Sequence, residues 1–331
     1  MKEEPGLLFP SPDKLGPSFD LTAYQSVSYL QREKKNIIRA GVLLLITLFT
    51  ATLAGFFWDI EFRYATTGIL IAETDIWQHP QLLLRGLPYA GGILFILLSH
   101  EMGHFLVCRY YRLHSTPPFP IPFPAGPAIL SFGTLGAVIK IKQPFRNRRQ
   151  LFDVGIGGPL AGMVAAIPVY LAGFYLSAPS VVEPRGLVLV FGDNLLTYLG
   201  IQAFFSDGVA SHAIALHPLG WAAFFGFVAT SLNLLPIGQL DGGHIVYALF
   251  GPRGHRVVSF VFFIVLTLNS IIFFPSYLLF ALILIVLRLR HPPTLFDDLP
   301  VSRSRRILAV VALIIFLCTF IPDPISIQFF E

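Results

Sequence analysis

Apolar residues along this chain fall into long blocks separated by short polar or proline-rich intervals. Neither the alternation of a half-buried strand nor the narrow stripe of a surface helix is visible. A block that crosses a bilayer needs about 20 mostly apolar residues. The blocks from about Ile37 to Trp58, Leu87 to Tyr111 and Leu151 to Leu176 meet that length. A fourth starts near Pro218, breaks near Pro236 and resumes to Phe250. The run from Val257 to Leu287 is too long for one span, and Asn269, Ser270 and Pro275 divide it into a tight helical hairpin. A last span covers Ile307 to Phe320. The pattern predicts an all-α polytopic membrane protein with six or seven transmembrane helices. Between the second and third spans, Pro117–Pro127 cannot form a helix interior. The stretch from Ser131 to Ile141 that follows is rich in glycine and β-branched residues and reads as a short strand or hairpin.

Four parts follow from this segmentation: a loosely ordered N-terminal arm over 1–36, a first span with its outer loop over 37–86, a core over 87–250, and a C-terminal hairpin with the last span over 251–331. The outer segment Ser177–His217 is too short for a typical globular domain and reads as a partly apolar loop or interfacial helix.

Composition narrows the class further. Only 13% of residues are charged, 54% are hydrophobic, and mean hydropathy is +0.70. A soluble domain carries about 25% charged residues, so a soluble enzyme and a disordered chain are both excluded. The net charge of +4 could suggest nucleic acid, but its distribution points to the lipid bilayer instead. With the spans alternating, only Arg63, Arg85 and Arg185 of the 23 Lys and Arg residues fall on one side. The positive-inside rule then puts the N-terminus in the cytoplasm. Cys108 and Cys318 lie in or beside different apolar runs and cannot form a disulfide framework.

Ionisable groups inside spans are costly and mark functional sites by default. The second span contains His100-Glu101-Met102-Gly103-His104. Residues at i and i+4 share one helix face, so the two imidazoles can bind a single metal ion. Glu101, beside the first ligand, can approach a metal-associated water and act as general base. A pair of packing histidines bridged to Glu101 is the plain structural alternative. Catalytic zinc usually takes three protein ligands and keeps a position open. Asp241 follows the Pro236–Gly238 break at a depth similar to that of His104 and is the expected third ligand; His244, one turn further on, is its rival. The other histidines (His79, His114, His212, His217, His255 and His291) fall in predicted loops or at span ends and read as solvated or interfacial. Gly155, Gly157, Gly158 and Gly162 read as ordinary close helix packing.

The two motifs together, His100 to His104 and Asn233-Leu-Leu-Pro236-Ile-Gly-Gln-Leu-Asp241-Gly242, resemble those of the site-2 protease family of intramembrane zinc metalloproteases. The resemblance covers about Leu87 to Phe250. It implies one Zn2+ held by His100, His104 and Asp241, with Glu101 activating the attacking water. It also implies hydrolysis of peptide bonds within or next to a transmembrane segment of a membrane-protein substrate. Asn233 is implied to contact the substrate backbone or to stabilise the developing oxyanion. The stretch around Gly133 and Gly136 resembles the family's membrane-re-entrant β-element, whose free edge pairs with an unwound substrate; from the residues alone, a plain cytoplasmic hairpin also fits. Many relatives carry a PDZ or a cystathionine-synthase-type domain, for which this chain has no room outside its spans. The first 30 residues show neither a signal-peptide nor a transit-peptide pattern, so a bacterial or archaeal plasma membrane is the expected address.

Two other functions use the same residues. A metal-ion or solute transporter would treat them as a midplane binding site, and would need a route to both sides and usually a repeated architecture; neither is visible. A catalytically inactive escort protein would have no use for a base at Glu101. No nucleic-acid partner is expected.

Overall fold

The computed structural model describes residues 21–69, 78–125, 132–183, 186–205, 213–272, 291–296, 300–323 and 325–330. Seven helices are described: α1 (Leu21–Thr67), α2 (Leu87–Tyr110), α3 (Arg148–Leu176), α4 (Leu195–Phe204), α5 (Pro218–Leu234), α6 (Asp241–Ile272) and α7 (Arg303–Thr319). A 3-10 turn, Pro80–Gly86, leads into α2. Among the described residues, four segments are long and apolar enough to cross a membrane: Glu33–Thr67, Pro80–Tyr110, Arg148–Leu176 and Asp241–Ile272. This makes the chain a multi-pass membrane protein.

Two boundaries differ from the sequence expectation. Residues 21–36 belong to α1, so the helix takes up much of the expected N-terminal arm. At its other end α1 continues past Trp58 to Thr67. Asp59, Glu61 and Arg63 look like a loop in sequence. On the helix, however, Arg63 Nε donates to Asp59 Oδ2 at 2.7 Å, and the Thr66 and Thr67 hydroxyls donate to carbonyls one turn back. Polar residues with such local partners extend a helix instead of ending it. The expected hairpin turn at Pro275 lies outside the described residues.

The fourth block behaves as its pattern predicts. α5 stops at Leu234, residues 235–240 are non-helical, and α6 resumes at Asp241. Within α6, Gly251 adopts φ 72° and ψ −176°, a conformation open to glycine alone, and Pro252 follows with no N–H to donate. α6 is therefore two helices joined by a sharp break at Gly251.

Without a hydrophobic drive between spans, helices in lipid associate through close packing at small residues. Gly103 of α2 faces Gly157 of α3, and Gly173 of α3 faces Gly220 of α5. Tyr89, Ile93, Ile96, Ala166, Ala222 and Phe227 fill the space between these helices. Leu45, Phe49, Phe95, Leu106 and Val164 point outward, as a lipid-facing surface requires.

Among the described residues, three two-stranded antiparallel sheets complete the fold. β1 (Phe119–Pro122) pairs with β2 (Thr134–Val138), between α2 and α3 in the chain. Prolines are tolerated in β1 because it is an edge strand. The register slips between Pro120 and Pro122, so that Leu135 and Gly136 oppose Ile121 in a bulge, with Gly136 at φ 101°. β3 (Ala178–Pro179) pairs with β5 (Ile214–Ala215). β4 (Gly186–Phe191) pairs with β6 (Ile325–Phe330), which puts the C-terminal strand beside the segment that links α3 to α5. That segment also contains a short apolar helix, α4, capped by Asn194 accepting from the Thr197 N–H.

Candidate metal centre

His100 and His104 lie one turn apart on α2, both buried, and Asp241 opens α6. His100 Nε2 is 3.1 Å from Asp241 Oδ2, His104 Nε2 is 3.3 Å from Asp241 Oδ1, and the two Nε2 atoms are 3.2 Å apart. Three ligand atoms around a tetrahedral zinc with bonds of about 2.0–2.1 Å lie about 3.3–3.4 Å from one another. Two imidazole nitrogens and a carboxylate at this spacing fit a zinc ion with little rearrangement. Glu101 belongs to the same group of potential ligand atoms as His100 and His104. It sits off the face that the histidines share and turns its carboxylate toward the backbone N–H of Ile139, just beyond β2.

The ligands are held by their surroundings. His104 Nδ1–H donates to the Val154 carbonyl on α3 at 2.7 Å, which fixes the tautomer and leaves the Nε2 lone pair for a metal. α3 approaches so closely because it has no side chains where it meets the site. A Cβ on Gly158 would land on the His104 ring, and one on Gly162 would lie 3.1 Å from His100 Cβ and Nδ1. A Cβ on Gly155 would lie 2.7 Å from His244 Cβ. Of the glycines that read as ordinary packing in the sequence, Gly158 and Gly162 thus lie under the two histidines, while Gly157 packs against Gly103.

The break before Asp241 frees backbone groups that must find partners at membrane depth. Ser259 Oγ donates to the Pro236 carbonyl at 3.1 Å and accepts from the Gly238 N–H at 3.3 Å; His255 Nε2–H donates to the Gly238 carbonyl at 2.9 Å. His255 is only 2% exposed, so the expectation of a solvated loop histidine is corrected. Its spacing of four from Ser259 was the available sequence signal, but only the folded chain shows what that face meets. His291 is likewise no free loop histidine, since its Nε2 lies 2.7 Å from His244 Nδ1. Of the two rivals for third ligand, Asp241 lies against both histidines of α2, and His244 lies against His291.

A cavity of about 460 Å³ opens onto this cluster. Its walls include Ile96 and Leu97 of α2, residues 135–138 of β2 with Ile139 just beyond it, Thr230 and Asn233 of α5, and His244. Asn233 and Gly136 are both among the residues that line it. Gly133 is not. It sits at φ 70° against the backbone of α1 at Ala51, and its carbonyl accepts from the Thr50 hydroxyl at 2.6 Å. The neighbouring Phe132 carbonyl accepts from the Tyr89 hydroxyl at 2.9 Å. Gly133 anchors the β-element and does not line the cavity.

Residues 88–274, more than half of the chain, match peptidase family M50. The chain is 32% identical over 243 residues to the protein named probable zinc metalloprotease EGY1, chloroplastic, of Arabidopsis thaliana, covering 71% of this chain and 43% of that protein. The similarly named protein of Oryza sativa subsp. japonica is 33% identical over 257 residues, covering 73% and 42%. Arabidopsis EGY2, also named a probable chloroplastic zinc metalloprotease, is 30% identical over 177 residues, covering 52% and 30%. The chain therefore spans less than half the length of the curated relatives it matches. With its motif residues gathered at a zinc-sized centre and its core matched from end to end, the chain belongs to peptidase family M50, the zinc metalloproteases of the site-2 protease type.

Proposed function

We propose that this protein is a zinc-dependent intramembrane endopeptidase that hydrolyses peptide bonds within or next to transmembrane segments of membrane-protein substrates. The observation that carries the reading is the mutual spacing of His100 Nε2, His104 Nε2 and Asp241, with a base at Glu101 and a cavity in front of them. When bound there, a zinc ion polarises the scissile carbonyl and lowers the pKa of water toward neutrality. Glu101 accepts the proton of the attacking water and passes it to the departing amine, which keeps the charge balanced at neutral pH. Asn233, in the cavity wall, donates an amide N–H to the substrate carbonyl oxygen as negative charge develops there.

A helical peptide bond is shielded by its own hydrogen bonds, so the substrate must be extended before water attacks. Among the described residues β2 pairs with β1 alone, and the β2 stretch lines the cavity. An unwound segment added to the free edge of β2 recovers main-chain hydrogen bonds, while its side chains enter the apolar walls. Gly136, with open space where a Cβ would stand, keeps this path clear.

The charge bias supports a cytoplasmic N-terminus and a site in the cytoplasmic half of the bilayer. The relatives named above are chloroplast proteins by name.

The deciding experiment uses purified full-length protein in detergent, with wild type beside Glu101→Gln. Zinc content and cleavage of a model transmembrane substrate are measured on the same samples. About one zinc per chain in both, with cleavage by wild type alone, is the expected result. Zinc in both with no cleavage by either, and metal flux across liposomes, would replace the protease with a transporter.

A further inference from the structure

His244 lines the cavity beside Asp241, yet the ligand set is complete without it. Its hydrogen bonding is set from outside the site. His291 Nδ1 lies 2.5 Å from the Pro292 carbonyl. A carbonyl only accepts, so His291 Nδ1 carries the proton, and the Nε2 of a neutral His291 presents a lone pair. That lone pair faces His244 Nδ1 at 2.7 Å, so His244 must donate through Nδ1. Neutral His244 then has its remaining lone pair on Nε2, an atom that makes no hydrogen bond among the described residues. His104 is fixed in the same tautomer by a backbone carbonyl directly; His244 is fixed by one through an intervening histidine. Tyr247, its ring centroid 4.5 Å from that of His291, packs the pair in place, and Gly155 leaves room for the His244 stem.

An extended peptide has N–H groups along both edges, and each that is desolvated without an acceptor is costly. The edge of β2 can satisfy one side only. We infer that His244 is a substrate-contacting residue whose Nε2 lone pair accepts a main-chain N–H of the bound peptide on the side away from β2, and that His291 is the positioning residue that fixes its tautomer. The inference rests on the endopeptidase reading and adds to it a second hydrogen-bonding wall.

The test uses the full chain in detergent with zinc bound. In histidine-selective 15N spectra at about pH 8, above the ordinary imidazole pKa, His244 should carry its proton on Nδ1 in wild type. His291→Ala should release that preference. His291→Gln, whose amide oxygen can accept from His244 Nδ1–H, should restore it. In cleavage assays His244→Phe should keep its zinc and lose about 10- to 100-fold in kcat/KM, the scale of a lost catalytic-site contact. His291→Ala should lose about 3- to 10-fold and His291→Gln should recover most of that.

Wild-type cleavage with His244→Phe unimpaired would overturn the inference and leave the protease reading intact. Loss of zinc from His244→Phe would overturn it by making His244 a ligand, and an Nε2–H tautomer in wild type would overturn it directly. Failure of wild type to cleave any transmembrane substrate would remove the protease reading and this inference with it.

Discussion

At its first turns α5 carries Trp221, Phe224 and Phe225; at its last turn it carries Asn233 and runs into the Pro236 break. The two ends are stabilised in different ways. At the aromatic end, Trp58 stacks on Trp221 at 4.4 Å between centroids, and Phe191 meets Trp221 edge-on at 4.8 Å. Such contacts are broad and weakly directional, and each adds a modest amount to a large buried area. At the metal end, order depends on a few directed bonds, such as His104 to Val154 and Ser259 to Pro236, and on atoms that are missing, at Gly155, Gly158 and Gly162. Stability is therefore concentrated at one end of the helix, and exactness of position at the other. The β-element links the two: Phe132 packs on Phe225 at 4.5 Å, while β2, a few residues on, lines the metal cavity.

Changes at the two ends should then fail differently, and the largest failure should come from the smallest added group. Gly158→Ala puts a methyl group on the His104 ring. Zinc affinity should fall by about 100-fold or more, the upper range for disturbing a ligand's support, and cleavage should vanish. The helical circular dichroism spectrum should be retained; a Gly158→Ala protein with full zinc content would break the comparison.

Phe225→Ala removes a buried ring at the aromatic end and should cost about 3–5 kcal/mol of stability. In the protein that remains folded, zinc per chain should match wild type. Denaturant unfolding and metal analysis on the same preparation would show whether stability and site geometry separate in this way.

Ser259→Ala strips the Pro236 carbonyl and the Gly238 N–H of their shared partner, at about 1–3 kcal/mol for buried groups left unsatisfied. Because those groups shape the turn into Asp241, zinc affinity should also drop, by about tenfold. A stability loss with unchanged zinc affinity would show that the break tolerates more freedom than the metal end of the comparison allows.

Tyr89→Phe deletes the hydroxyl that holds the Phe132 carbonyl. Its expected stability cost is about 1 kcal/mol. Zinc content should be unaffected, and KM for a transmembrane substrate should rise a few-fold because β2 is held less firmly. Smallest of all, Leu106→Ala on the outward face of the metal-bearing helix should change stability by less than about 0.5 kcal/mol and leave cleavage unaltered. His104, two positions back, belongs to the candidate metal centre, so this substitution shows how sharply the effect depends on the face of α2.

Much of the site was legible in the sequence because its chemistry is locally encoded. His100 and His104 share a face through helix periodicity alone, and Glu101 follows from their spacing. The Pro236 break before Asp241 announces itself because proline cannot donate to a helix. The spans were legible because a bilayer demands long apolar blocks, and their limits held for α2 and α3. The end of α1 was misplaced because charged residues with partners four positions away extend a helix, a pairing that composition does not reveal.

The rest depended on what lies across a gap. Gly133 and Gly136 are three residues apart in one glycine-rich stretch, yet one anchors to α1 and the other faces the cavity. His255 and His291 looked like surface histidines, yet one satisfies the broken backbone before Asp241 and the other orients His244. The sequence by itself determined which elements form and which residues can ligate a metal, since periodicity and backbone chemistry act over a few positions. The tertiary structure alone decided the third ligand's partners, the glycine floor under the histidines and the tautomer of His244, because each depends on the distance between groups far apart in the chain.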